Sequence, residues 1–159
     1  MQLNDIGVQQ EDFDLSAFNR MLRQGVSEYG AVVTFSGLVR DFADGSLEAL
    51  ELEHYPGMTE RSLEKIVEQA RARWELGNVV VRHRVGRMEP GDEIVFVGVT
   101  SAHRLEAFEA AQFLMDYLKR DAPFWKKEIS AGQEHWVEQK DTDLKAADSW
   151  DSESDSSQD

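Results

Sequence analysis

Met115-Asp116-Tyr117-Leu118-Lys119-Arg120-Asp121-Ala122-Pro123-Phe124-Trp125-Lys126-Lys127-Glu128 is the stretch where the chain must change from one regular structure to another. Pro123 lacks a backbone N–H and cannot continue a helix. A helix therefore closes before it, and the aromatic pair after it opens a strand. The stretch is also chemically odd. Four cations fall within nine residues of a chain whose formal net charge is −14. Aromatic side chains lie among them. A solvated surface helix needs no such mixture, whereas an anion-binding pocket with an aromatic wall does.

Working upstream, Phe108, Ala111, Met115 and Leu118 recur at helical spacing and predict a helix from about Leu105 to Lys119, with Ser101 as a candidate cap. Ile94 to Thr100 is almost entirely apolar and reads as a central strand. Glu89-Pro90-Gly91-Asp92 is a turn, and Val79 to Val85 is another strand. Residues 60–74 carry Leu63, Ile66, Val67, Ala70 and Trp74 on one helical face, with Thr59 placed to cap them and Gly77-Asn78 ending the unit. Leu47 to Tyr55 alternates and predicts a half-exposed strand. Gly30 to Arg40 is rich in β-branched residues and predicts a well-buried strand, with Gly37 marking a bulge or a close approach. Leu15, Phe18, Met21 and Leu22 form one side of a helix capped by Asp14 or Ser16, and residues 3–8 suggest a first strand.

Downstream of Pro123, residues 124–129 and 135–139 predict two strands around an Ala131-Gly132 turn. The composition then turns acidic. Residues 148–159 contain no lysine or arginine, and a lone Trp150 cannot build a core. That composition predicts a single domain over residues 1–147 and a disordered acidic tail over 148–159. Strands outnumber helices and sequential strands can pair as hairpins, so the fold class is α+β rather than a doubly wound sheet.

The bulk composition excludes several functions. The charge of −14 opposes non-specific binding to nucleic acid or anionic membrane. No cysteine is present, which removes disulfides, zinc-thiolate sites and thiol nucleophiles. No apolar run approaches a membrane span, and the N-terminus lacks signal-peptide character, so a cytoplasmic location is expected. His54, His83, His103 and His135 show no metal-ligand spacing, and no glycine-rich phosphate loop occurs.

What remains is a set of cations. Ser101-Ala102-His103-Arg104 joins an apolar strand to a helix start, where free N–H groups gather anions. His103 and Arg104 are either ligand donors or solvated first-turn residues. Arg40, at the end of a strand, is either a pocket cation or an ordinary surface arginine. Lys119 suits the last turn of its helix on dipole grounds alone. Lys126 and Lys127 must face opposite sides of a strand. If Lys126 faces inward among Phe124 and Trp125, desolvation lowers its pKa and makes it a usable base or nucleophile. Folded together across Pro123, Lys119 and Lys126 would form the reactive end of a pocket for an anionic, phosphorylated ligand.

Several longer motifs carry a family resemblance. Gly30-Ala31-Val32-Val33-Thr34-Phe35, Glu53-His54-Tyr55-Pro56-Gly57-Met58-Thr59-Glu60, Val99-Thr100-Ser101-Ala102-His103-Arg104, Met115-Asp116-Tyr117-Leu118-Lys119 and Ala122-Pro123-Phe124-Trp125-Lys126-Lys127-Glu128 together resemble the large, catalytic subunit of molybdopterin synthase, the MoaE family. The likeness covers about residues 3–150. It implies an α/β-hammerhead-like domain with an additional antiparallel β-sheet. It implies a sulfurtransferase that builds the dithiolene of molybdopterin on cyclic pyranopterin monophosphate, with no cofactor of its own. The sulfur would arrive as a thiocarboxylate on the C-terminal Gly-Gly of a small ubiquitin-like, MoaD-like partner. The large subunit would form a homodimer inside a heterotetramer. Carried over by motif, Lys119 is the principal catalytic lysine and Lys126 the second. Arg40, His103 and Arg104 bind substrate, and Lys127 joins that group. Three departures accompany the likeness: Leu38 stands where a lysine is frequent, the Asp41–Ser46 loop is short by about a residue, and Lys140 replaces a frequent arginine. The alternative reading is a non-catalytic docking scaffold for a ubiquitin-like sulfur carrier.

Overall fold

The computed structural model describes residues 2–25, 27–137 and 141–156. Lys140 lies outside them, as do the last two residues of the strand expected over 135–139 and the end of the acidic tail. The described chain runs β1 (Asn4–Gln9), α1 (Leu15–Arg23), β2 (Ala31–Leu38), β3 (Ala49–His54), α2 (Met58–Arg73), β4 (Leu76–Arg84), β5 (Gly86–Met88), β6 (Glu93–Ser101), α3 (Arg104–Asp121), β7 (Phe124–Ser130), β8 (Gln133–Val137) and α4 (Asp141–Ser156).

Two four-stranded sheets result, with strand orders β1-β4-β6-β2 and β5-β3-β7-β8. The fold is α+β, and the second sheet is antiparallel throughout. In the first sheet β4 and β6 are the inner strands. Helix α1 packs on one face of that pair, while α2 covers β4 and α3 covers β6 and β2 from the other. Both strands are therefore buried on both faces, which is why their sequences are nearly continuous apolar runs. Val80 and Phe96 meet Phe13, Phe18 and Leu22 in a small cluster beneath α1. Val79, Val81, Val95, Val97 and Val99 join the main core. Each fully buried aliphatic side chain of this kind contributes about 1.5–3 kcal/mol.

Asn78 ties three segments together. It lies inside β4 rather than ending the preceding helical unit, and it is fully buried. Its Oδ1 accepts from Leu3 N at 2.9 Å, and its Nδ2 donates to the carbonyls of Met21 at 2.9 Å, Leu22 at 3.3 Å and Gln24 at 2.9 Å. The orphan carbonyls at the end of α1 are satisfied by this one amide.

Several expectations need correction. β2 is an edge strand, not a buried one, and Val32, Phe35 and Leu38 are exposed. Its β-branched composition suits any half-covered pleated surface. The bulge expected at Gly37 is present, as a register shift between Gly37 and Leu38. Gly57, not Thr59, caps α2, with Glu60 Oε2 accepting from Gly57 N at 2.6 Å. On α3 the buried residues are Ala107, Ala110, Ala111, Phe113, Leu114, Tyr117 and Leu118, while Phe108 is exposed.

The acidic segment also departs from expectation. Instead of a disordered tail from residue 148, α4 continues to Ser156. Trp150 does not need a core of its own, because it borrows one. Its ring meets Trp74 and Phe113 edge-on at 5.7 and 5.6 Å, and its Nε1 donates to Asp116 Oδ2 at 2.8 Å. Asp151 adds bonds to Arg120 and Tyr117. Among the described residues no helix is long and apolar enough to cross a membrane.

Candidate active site

The corner between α3 and β7 is built as the proline requires. Helix α3 ends at Asp121, Ala122 turns extended, and β7 begins at Phe124. Thr59 pins this corner from outside. Its hydroxyl accepts from Tyr55 N at 3.0 Å and donates to Pro123 O at 3.1 Å, and the residue is fully buried. The start of α2 is thereby fastened to the corner.

Two cavities meet here. The larger, about 940 Å³, is lined by Phe35, Arg40, Met115, Lys119, Lys126 and Glu128 among others. The smaller, about 500 Å³, is lined by His83, Lys119, Pro123, Phe124, Trp125 and Lys126 among others. Lys119 and Lys126 belong to both. They sit at the junction, half-buried, one from the last turn of α3 and one from β7. The alternation of β7 accounts for Lys126: Phe124, Lys126 and Glu128 share the face that Lys127 does not.

Arg40 lies just past β2 at the rim of the larger cavity and is exposed. Among the described residues no carboxylate pairs with it. Leu38 lines the same cavity with an exposed apolar side chain. The short loop that follows closes on itself: Asp41 Oδ1 accepts from Leu47 N at 3.1 Å, and Gly45 N donates to Phe42 O at 2.9 Å.

Lys127 is not in either cavity. It faces Glu134 at 3.2 Å and Glu51 at 3.7 Å, over the ring of Trp136 at 5.3 Å. The hydrogen bond to Glu134 raises its pKa above the usual lysine value. Arg120 lines the smaller cavity but is held by Asp121 at 2.6 Å and Asp151 at 2.8 Å. Those hydrogen bonds raise its pKa further.

His103 and Arg104 are exposed at the opposite end of α3. Arg104 and Lys119 are fifteen residues apart on one helix, or about 22 Å at the helical rise. One copy of the chain cannot bring them to the same ligand.

Three residues belong to the site that the sequence does not mark as site residues. Glu128 shares the face of Lys126, and the period of two predicts that placement. His83 and Thr59 are buried polar residues tied to this corner by contacts distant in sequence, His83 by its stack on Phe124 and Thr59 by its bond to Pro123 O, so no local pattern places them here.

The arrangement offers two lysines between an open chamber with an arginine at its rim and a narrower, aromatic-walled one. It suits an anionic ligand that meets a second reactant at the lysines.

Residues 8–121 match the family described as MoaE protein. The chain is 61% identical over 124 residues to the molybdopterin synthase catalytic subunit of Escherichia coli, covering 77% of this chain and 83% of that one. It is 52% identical over 143 residues to the catalytic subunit of Cereibacter sphaeroides, covering 90% and 97%. The solved structure of molybdopterin cofactor biosynthesis protein E from Burkholderia multivorans superposes with a TM-score of 0.80 at 48% identity, covering 94% of this chain and 97% of that one. The family match, the sequence likeness and the superposition agree, and the chain belongs to the MoaE family.

Proposed function

We propose that the chain is the catalytic subunit of a molybdopterin synthase, and that sulfur transfer takes place at Lys119 and Lys126, where the two cavities meet. The position of both lysines in both cavities is the observation that carries this reading. The larger cavity, with Arg40 at its rim, has the size and charge for cyclic pyranopterin monophosphate. The smaller, narrower one suits the extended C-terminal Gly-Gly of a ubiquitin-like partner, whose thiocarboxylate then ends beside the lysines. Two ammonium groups held there orient the reactants and offset the negative charge that develops as sulfur leaves the acyl carbon. Whether by proton transfer or a transient amide, Lys119 is the group closest to that step. The chain itself needs no cofactor, and the reaction belongs in the cytoplasm.

His103 and Arg104 enter this reading through a second copy. They are too far along α3 from Lys119 to serve the same copy's cavity. The exposed Val32, Phe35, Leu105 and Phe108 on β2 and α3 supply an apolar face beside them, which a homodimer would bury. In that dimer each site draws its lysines and Arg40 from one copy and His103 and Arg104 from the other. One small subunit per site then gives a heterotetramer. Lys127, held by Glu51 and Glu134, contributes at most long-range attraction for an anion.

The test is the full reaction with thiocarboxylated small subunit and pterin precursor. Lys119→Ala should fold normally and lose nearly all molybdopterin formation. Normal turnover by that variant removes Lys119 from the mechanism.

A further inference from the structure

The wall of the smaller cavity contains a buried polar residue that sulfur transfer, as described, does not use. His83 lies near the end of the inner strand β4 and is 4% exposed. Its Nδ1 sits 2.8 Å from the Arg84 carbonyl. A carbonyl only accepts, so Nδ1 carries the proton. The ring stacks on Phe124, with centroids 3.8 Å apart and planes 20° from parallel. Phe124 opens β7 directly after Pro123, and Lys126 follows two residues later on the same face.

The charge on this imidazole is settled by its surroundings. Burial disfavours the protonated ring most, and Lys119 from α3, Lys126 from β7 and His54 from β3 add repulsion. Only the Arg84 carbonyl favours it, and the pKa falls to about 3. Arg120 and Asp121 from α3 and Asp143 from α4 line the same cavity. A neutral ring suits this place for a chemical reason. A carboxylate here would pair with the lysines and quench the charge that an anionic reactant needs. A further cation would repel them. An aliphatic side chain would give Phe124 no flat surface on which to stack.

We infer that His83 is a positioning residue for sulfur transfer: a ring stacked on Phe124 that sets the start of β7, and through it the placement of Lys126 against Lys119. The inference rests on the assignment of those lysines as the reactive pair.

The test uses the assembled synthase with thiocarboxylated partner and precursor. His83→Ala is expected to lower kcat at least about tenfold, on the scale that a small misplacement of a reacting group costs, with KM for the precursor within about twofold because Arg40 sits in the other cavity. His83→Phe restores a ring and should recover most of kcat. It also serves as the folded variant if His83→Ala does not fold. Added to Lys126→Ala, His83→Phe or His83→Ala should change kcat by less than about twofold, because the effect runs through a side chain already removed. Losses that multiply, or a His83→Phe variant as slow as His83→Ala, overturn the positioning role and leave the lysine assignment standing. Full activity of Lys126→Ala alone overturns both.

Discussion

A histidine that stays neutral when folded and charges when unfolded makes stability depend on pH. His83 has a folded pKa of about 3 against 6.5 in the unfolded chain. Between those values the unfolded state binds the extra proton, so stability is fully present above about pH 6.5 and is lost as the pH falls toward 3. The loss from this one group between pH 7.5 and 5 is on the order of 2 kcal/mol. Urea unfolding at the two pH values measures it, and His83→Phe should show a correspondingly smaller difference. A variant with the same pH dependence as the parent would mean that His83 titrates normally when folded. At this scale the sequence was legible where pattern carries chemistry. Lys119 and Lys126 stand out because cations are few around an aromatic, proline-broken stretch, and the alternation of a strand separates Lys126 from Lys127. Thr59 was misread as a cap because its true partner, Pro123 O, is 64 residues away. His83 carried no signal at all, since a lone histidine in an apolar strand looks the same whether or not it faces a cavity.

At the scale of elements, α4 is the part whose attachment differs most from what composition suggests. The acidic residues that argue for disorder are on the helix, but Trp150 anchors it among Trp74 and Phe113. The Tyr117 hydroxyl bonds to Asp151, and burial together with that bond pushes its pKa up to about 12. Trp150→Ala removes the anchor of a partly buried aromatic and should cost about 1–3 kcal/mol. Urea denaturation reads the loss, and limited proteolysis should clip the chain near residue 145 sooner than in the parent. Unchanged stability and cleavage would mean that α4 is held by its ion pairs instead. The helices α1, α2 and α3 and strands β3, β4, β6 and β7 were readable because each has a clear period. The exposure of β2 was not, because β-branched residues suit an edge that another surface covers as well as they suit a core.

For the whole molecule, the separation of Arg104 from Lys119 has a direct consequence. If each site is shared between two copies, two inactive variants can complement one another. In a mixed dimer of Lys119→Ala and Arg104→Ala, one site carries both defects and the other carries neither. Random mixing of copies in an isologous dimer should then restore about a quarter of wild-type activity. No recovery above the separate variants would mean that Arg104 does not serve the neighbouring site. The route of the chain through its first sheet has a consequence in time. β1 pairs parallel with β4, Asn4 against Val79, and Leu3 also waits for the amide of Asn78. At a synthesis rate of roughly 5–20 residues per second, the first strand leaves the ribosome several seconds before its neighbour exists. β1 is thus made well before the strand that seats it, and is among the last elements to be placed.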